Sequence, residues 1–289
     1  MSIYLQLLVA SFLWGTNVIV MKILLKQISF LFLAVLRVLF SFLFLGIYMK
    51  YKHIDLCYHY KSKAFWIGFF GIYLNFFFTF LGMNEVKGVD NAFLNALAPV
   101  ITFIFSVFLL GKKGKTSEYI ALLLTIIAFL LSIHLKLKDI KIGFIYLFMG
   151  LCLYMLSHVM IQKWQLRQSL SLTFYQLGFG FILLFFHYLI VGQFDVSSLV
   201  NVSVFHWFLF LVISGVGFAY IQYVYMKSVE DIGVLKTSSF LSLNPIVTYI
   251  ESLLILKESF DLLHFIGFVF IVLSVYMINY SSKKNSQKT

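Results

Sequence analysis

The chain has few of the residues that a soluble protein needs. Only 11% of its 289 residues are charged and only two are prolines, whereas 62% are hydrophobic. A soluble domain of this length needs much more polar surface, so the composition argues against one. We therefore predict a polytopic membrane protein that has the lipid bilayer as its surroundings.

Cysteine is also scarce, and its two positions indicate neither a disulfide nor a metal site. Cys57 lies in a basic connector and Cys152 in a predicted span. We accordingly predict no metal, no cofactor and no catalytic residue. The P-loop motif Gly-x4-Gly-Lys-Ser/Thr does not occur either, which excludes direct ATP coupling within this chain.

The net charge of +11 comes mostly from lysines in short connectors between apolar runs. Lysines in such places orient helices in a membrane, so we do not expect nucleic-acid binding. If the N-terminus is cytoplasmic, that side holds fourteen Lys and Arg against six on the other side. This bias predicts that both termini are cytoplasmic, although the cluster Lys136–Lys141 runs against the rule.

Ten apolar runs have the length of a membrane-spanning helix, about 20 residues. The connectors between them are short and leave no room for a soluble domain. The predicted helices are Ile3–Leu25, Ser29–Met49, Ala64–Met83, Gly88–Leu110, Glu118–Ile133, Ile142–Ile161, Ser171–Gly192, Val204–Met226, Val234–Leu256 and Leu262–Tyr280.

The two halves of the chain repeat each other. An offset of 146 residues places Pro99 on Pro245 and Thr102 on Thr248. Because each half has five helices, the second half must enter the membrane upside down. We predict an all-α fold of ten transmembrane helices as a 5+5 inverted-topology repeat, with repeats at residues 1–135 and 142–281 and a cytoplasmic tail at 282–289. This architecture is typical of secondary transporters, which bind substrate between the halves.

The ninth predicted span has a polar face in the middle of the membrane. Thr237, Asn244, Thr248 and Glu251 stand at positions i, i+7, i+11 and i+14. A carboxylate in hydrocarbon is costly, so this face should look into the bundle or a wet cavity. Glu251 is a candidate carrier of a coupling proton or a counter-ion for an amine or guanidine of the substrate.

Glu251 also has a structural interpretation, as the partner of Lys22 or Arg37. For Arg37 itself we expect a structural duty, in which it binds helix-end carbonyls or a lipid phosphate near its own membrane face. Both cations stand inside apolar runs of the first half.

Amide side chains are candidates for recognising a polar metabolite, because each offers a donor and an acceptor. Hydrogen bonding between helices is the alternative. Trp14 and Tyr154 occupy corresponding places in the first and sixth helices, and we predict that they flank the amides as aromatic walls. The candidate amides are Asn17, Asn75, Asn91, Asn95, Gln222 and Asn244.

Pro99 and Pro245 interrupt two equivalent helices, the fourth and the ninth. Proline removes one backbone hydrogen bond and bends a helix, which frees a carbonyl for a ligand or permits hinge motion. We predict that the two prolines are hinges of a symmetric gate, with static kinks as the alternative.

Five short motifs are distributed along the chain. They are Trp14-Gly15-Thr16-Asn17, Arg37, Ala98-Pro99-Val100, Asn244-Pro245-Ile246 and the helix ending Leu256-Lys257-Glu258. In this order they resemble the EamA branch of the drug/metabolite transporter superfamily. The resemblance implies a 5+5 bundle in the inner membrane of a bacterium that moves a small metabolite. One departure is Gly111-Lys112-Lys113, which stands in the first half where the second half has the acidic Glu258.

We therefore predict a secondary transporter that exports a small polar or amphipathic metabolite by alternating access around a central cavity. Protons are the candidate coupling ion, and the assembly is a monomer or homodimer. The alternative from another class is a membrane-embedded enzyme, but neither His-Glu-x-x-His nor Gly-x-Ser-x-Gly occurs. A lipid-carrier flippase is a further alternative, which a lateral opening between helices would distinguish.

Overall fold

The computed structural model describes residues 1–56, 60–86, 88–132, 142–191, 202–255, 257 and 261–280. Every regular element in these ranges is a helix. Nine of the described helices are long and apolar enough to cross a membrane, and a tenth, Thr116–Ser132, is apolar but shorter at 17 residues. The prediction of an all-α polytopic membrane protein is confirmed.

We number the helices along the chain and give the two parts of a broken helix the letters a and b. They are α1 (Ile3–Leu24), α2 (Phe30–Tyr51), α3 (Lys61–Met83), α4a (Gly88–Asn95), α4b (Ala98–Leu110), α5 (Thr116–Ser132), α6 (Ile142–Lys163), α7 (Ser169–Val191), α8 (Val204–Ile232), α9a (Val234–Leu241), α9b (Asn244–Ile255) and α10 (Leu262–Tyr280).

Most predicted bounds differ from these by a few residues, and the largest difference is at the end of α8. This helix continues past the predicted end at Met226 to Ile232. Its last turns are polar, and Lys227 Nζ lies 3.1 Å from Asp231 Oδ2 at spacing i,i+4. Such pairs stabilise a helix outside the apolar run, so hydropathy alone predicts too short a helix.

The fourth and ninth helices are broken rather than bent, which corrects the prediction of continuous kinked spans. Two residues separate α4a from α4b and α9a from α9b, and each proline takes the second position of the following helix. Proline is tolerated there because the first turn has no intrahelical use for its N–H. The breaks meet, since Ser242 Oγ donates to the carbonyl oxygen of its equivalent residue, Ala96, at 2.9 Å.

The contacts between helices stay the same when the two halves are exchanged. Helix α1 packs against α8 and α9b just as α6 packs against α3 and α4b. Helix α4a packs against α9b as α9a packs against α4b, while α2 with α7 and α5 with α10 pair with their own equivalents. Because each half has five helices, the halves have opposite orientations, and the 5+5 inverted-topology prediction is confirmed.

The third helix of each half contains a π-helical segment in the middle of its span. The segments are Phe69–Leu74 in α3 and Phe210–Val216 in α8. Such segments are rare and occur frequently at functional sites. Here they belong to the two helices that pack on both sides of α2 and α7.

Candidate functional site

A cavity of about 40 Å³ is lined by residues of α1, α2, α3, α4a and α6. Six of the eight predicted substrate-binding residues line it together. This volume is close to the share of one water molecule in the liquid, about 30 Å³, so a metabolite can enter only after the surrounding helices separate. The six residues are Trp14, Asn17, Asn75, Asn91, Asn95 and Tyr154.

Two of the amides are oriented by hydrogen bonds. Asn17 Nδ2 donates to Ser214 Oγ of the π-helical segment in α8, at 2.8 Å. Asn75 Oδ1 accepts from Thr79 Oγ1, one turn along α3, at 3.0 Å. Each hydrogen bond uses either the NH2 or the carbonyl of the side-chain amide. The group that remains is a candidate hydrogen-bonding partner for a polar substrate.

The other two amides of the cavity stand on the broken fourth helix. Asn91 and Asn95 are four residues apart in α4a, so they lie on the same face of that helix. Asn95 is its last residue, next to the break. A movement at the break would therefore change the position of these amides relative to α1 and α3.

Two aromatic residues, Trp14 and Tyr154, also line the cavity. The ring centroids of Trp14 and Tyr154 are 5.5 Å apart, and these residues hold corresponding places in α1 and α6. Tyr154 is buried, and its hydroxyl donates to Gln222 Oε1 at 2.8 Å. Gln222 is not among the residues that line the cavity. Its effect on the cavity is indirect, through the hydrogen bond that orients the Tyr154 side chain.

Asn244 is also outside the cavity wall. It is fully buried, and neither atom of its side-chain amide has a hydrogen-bond partner among the described residues. It begins α9b, which packs closely on Gly15 of α1. A Cβ at Gly15 would lie 2.6 Å from Val247 Cβ and 3.1 Å from the carbonyl oxygen of Asn244. The structure thus places Asn244 at the contact between α1 and α9b.

The polar face predicted for the ninth span is buried at Thr237, Asn244 and Thr248, but Glu251 is only half-buried. Its Oε1 accepts from Thr16 Oγ1 at 2.6 Å. Residues in an α-helix are rotated by about 100° from one to the next, so Thr16 points well away from Trp14 and Asn17. In this conformation the structure does not bring Glu251 to the cavity.

The charged group that does line the cavity is Arg37 of α2. Its side chain is buried, and its Cζ lies 4.0 Å from the ring centroid of Phe218 and 4.9 Å from that of Phe76. Desolvated cation–π contacts contribute about 2 kcal/mol each, whereas burying an ion costs several kcal/mol. The two rings thus offset only part of the cost of this charge.

The location of Arg37 differs from the expectation of a residue near its own membrane face. The sequence does not identify it as a site residue, because the long side chain of a lone cation in a span can also extend to the headgroups. A signal was present nevertheless. Arg37 is one of only two arginines in the chain, and it stands inside an apolar run.

Some predicted features fall on residues that the structure does not describe. Leu256 and Glu258 of the helix-ending motif lie outside the described residues, as do Cys57, the Lys136–Lys141 cluster and the tail at 282–289. Across the described part of the chain, no group of three or more His, Cys, Asp or Glu could hold a metal ion.

Ten helices arranged as two inverted halves around a polar cavity define a class of multi-pass membrane proteins that includes many secondary transporters. The sequence model of the EamA-like transporter family matches residues 1–134 and 141–280. The chain belongs to this family. Its members are membrane transporters of the drug/metabolite type and not enzymes, which fits the prediction that this chain has no catalytic residue.

A solved crystal structure has the same overall fold. It matches this chain with a TM-score of 0.72 and 14% sequence identity, over 98% of this chain and 98% of its own. At that identity the likeness shows the fold alone. No protein of curated function matches the sequence.

Proposed function

We propose that this protein is a secondary transporter that exports a small polar or amphipathic metabolite by alternating access around the central cavity. The observation that carries the proposal is the convergence of six polar or aromatic candidates from α1, α3, α4a and α6 on one enclosed space. Sites for small polar ligands commonly combine hydrogen-bonding side chains, such as amides, with aromatic side chains.

The proposed substrate contacts are Asn17, Asn75, Asn91 and Asn95, together with the adjacent rings of Trp14 and Tyr154. Asn244 and Gln222 act next to them, Gln222 through Tyr154 and Asn244 at the contact of α1 with α9b. Asn244 has unused hydrogen-bonding groups among the described residues, and separation of α1 from α9b would expose them to the substrate.

Access changes, in this proposal, at the two helix breaks. Pro99 and Pro245 are the second residues of α4b and α9b, and one hydrogen bond, from Ser242 to Ala96, joins the two breaks. Helix parts that are separated by a two-residue break can tilt relative to each other, which suits a hinge. The two breaks are equivalent, so each serves one face of the membrane.

Glu251 is the proposed proton carrier, and it acts at the contact of α1 with α9b instead of in the cavity. Its hydrogen bond to Thr16 joins these two helices. Protonation changes the charge at this contact, and a change of helix packing there would couple proton movement to opening. The proposed location is the cytoplasmic membrane of a bacterium, with both termini inside, as a monomer or homodimer.

The proposal is tested by comparing metabolites in a strain that lacks the protein with those in a strain that overproduces it. Export predicts that one metabolite accumulates inside the deletion strain and in the medium of the overproducer. Purified protein in proteoliposomes should then exchange that compound. The double variant Asn17→Leu/Asn95→Leu, produced at the same level, is the matched control. Identical metabolite profiles in all strains would refute transport.

A further inference from the structure

The cavity wall carries a cation and no described carboxylate. Arg37 is the charged residue on the wall, and its side chain is 7% exposed. Glu118, Asp231 and Asp261 pair with Lys112, Lys227 and His264 in the described part of the chain, and none of these acids pairs with Arg37. Two phenylalanine rings, those of Phe76 and Phe218, lie beside the guanidinium.

We infer that Arg37 binds an oxyanion of the substrate, a carboxylate or a phosphate, and that the transported metabolite is therefore an anion. This inference rests on the proposed transport function and specifies the charge of its substrate. It differs from the expectation, drawn from Glu251, of a substrate with an amine or guanidine.

The rings of Phe218 and Phe76 lie on the same side of the guanidinium, so neither ring blocks a ligand from its other side. Its Cζ lies 4.0 and 4.9 Å from the centroids of Phe218 and Phe76, and these centroids are only 5.2 Å apart. Rings stacked on opposite faces would be separated by about the sum of the first two distances. The rings therefore form a corner on one side.

At least one hydrogen-bond donor of Arg37 is available to a ligand. A guanidinium has five N–H donors in its plane, and a carboxylate or phosphate can accept two of them side by side. The Nε of Arg37 has no hydrogen-bond partner in the described part of the chain. An oxyanion in the cavity would supply both the missing acceptor and the missing negative charge.

The depth of Arg37 makes a purely structural cation costly. It stands between three and four residues from the midpoint of α2, which corresponds to about 5 Å along the helix axis. Arginine does not lose its proton in proteins, so its charge persists at this depth. Charged residues so deep in a span usually mark substrate or ion pathways.

The surroundings favour an anion over a cation. Asn17, Asn75 and Tyr154 line the same cavity and can bind the uncharged part of a metabolite. Glu251, which could attract a cation, contacts Thr16 on another side of α1. A substrate amine in the cavity would meet Arg37 and no described carboxylate.

The test measures ligand-induced thermal stabilisation of the purified full chain with probes that differ in charge. The pairs are lactate with lactamide and glucose 6-phosphate with glucose, and choline is the cation. We expect only anions to raise the melting temperature, and we expect Arg37→Gln to weaken that binding at least tenfold. Arg167→Gln, which removes an exposed arginine of a connector, should bind anions like the wild type.

Folding is monitored by size-exclusion chromatography. If Arg37→Gln does not fold, Arg37→Lys replaces it, because lysine keeps the charge but cannot form the planar two-donor fork. Arg37→Lys should bind anions less tightly than the wild type. Equal stabilisation by the uncharged or cationic probes would overturn the inference, as would anion binding that is unchanged in both Arg37 variants.

The metabolite identified by the accumulation experiment gives a second result. A neutral or cationic metabolite that is transported would overturn the anion inference and leave the transport function intact. If no metabolite accumulates, transport itself is refuted, whatever the probes bind. The two failures are thus distinguishable.

Discussion

The two halves share a fold, yet one half supplies nearly the whole wall of the cavity. Twelve of the fourteen residues that line it belong to the first half. Arg37 and Gln176 are equivalent, because they stand at corresponding positions of α2 (30 to 37) and α7 (169 to 176). Asn17 corresponds to Ser157 at the offset of 140 residues that aligns Trp14 with Tyr154. Where the first half has a cation, Arg37, and an amide, Asn17, the second half has an amide, Gln176, and a hydroxyl, Ser157, at the corresponding positions.

The place in the second half that corresponds to the cavity wall is tightly packed. A Cβ at Gly71 of α3 would lie 2.5 Å from Ser157 Oγ and 2.9 Å from Gln176 Nε2. At the equivalent Gly217 of α8, the one described atom within 4 Å of a Cβ is the carbonyl oxygen of Val212, at 3.3 Å. The repeat therefore produces two structurally equivalent regions, and the side chains in each region determine whether it contains a cavity.

The largest effect is expected from a variant that places the positive charge of Arg37 at the equivalent position of the second half. Gln176→Arg would put a guanidinium where Gly71 and Ser157 leave no room for it. An uncompensated buried charge costs about 3–5 kcal/mol. We therefore expect most of the folded protein to be lost, which the yield of monodisperse protein in size-exclusion chromatography measures.

Gln176→Leu is the matched control for this substitution. Both side-chain amide atoms of Gln176 lack a hydrogen-bond partner among the described residues, and replacing such a group by an apolar one is nearly neutral or stabilising. The leucine variant should be at least as stable as the wild type. If the arginine and leucine variants were equally stable, the two places would not differ as described.

The next largest effect concerns two equivalent helix contacts. Helix α9b packs on α1 as α4b packs on α6, but only the first contact includes a carboxylate, Glu251, where the second has Phe105. Glu251→Gln should abolish proton-driven transport in proteoliposomes and leave the fold intact. Phe105→Leu should keep the pH dependence of the wild type. A Glu251→Gln protein with unchanged transport and unchanged pH dependence would remove the coupling role.

A smaller effect should distinguish the two equivalent glycines. Gly71→Ala forces a Cβ against Ser157 and Gln176, and overpacking of this kind costs about 1–3 kcal/mol. Gly217→Ala has more space and gains up to about 1 kcal/mol of helix propensity, so it should be close to neutral. Thermal unfolding of both variants in detergent provides the measurement. Equal destabilisation would show that both places are equally packed.

The smallest effect is expected at one amide of the cavity. Asn95→Leu removes a proposed substrate hydrogen bond, worth about 1 kcal/mol, so the KM for the exported metabolite should rise about fivefold to tenfold. The thermal midpoint should not change. Asn84→Leu, at the exposed end of α3, is the control. A greater loss of stability than of affinity would favour structural hydrogen bonding at Asn95.

The sequence was sufficient to predict the ten helices, the inverted repeat and most of the cavity. Hydropathy identifies a span because lipid demands about 20 apolar residues, and the 146-residue offset of Pro99 and Pro245 indicates the repeat. The polar residues Asn17, Asn75, Asn91 and Asn95 were identifiable because amides are scarce in the spans. They converge in the structure because their helices surround one space.

Other features of the site depend on helix rotation and packing, which one sequence does not contain. Thr16 and Asn17 are neighbours, yet one contacts Glu251 and the other lines the cavity. The side of α1 that each faces is set by the helices around it. Arg37 was assigned to the membrane surface for the same reason, since its aromatic neighbours come from α3 and α8.

The most direct test of the central claim is to measure access to the cavity from each side of the membrane. Thr79 lines the cavity and is half-buried, whereas Phe12 is 55% exposed on the outer surface of α1. Single cysteines at these positions, in a chain with Cys57 and Cys152 replaced by alanine, would be treated with a membrane-impermeant thiol reagent. We predict that Thr79→Cys reacts from either face and that Phe12→Cys does not react. Reaction of Thr79→Cys from one face only, or from neither, would contradict alternating access.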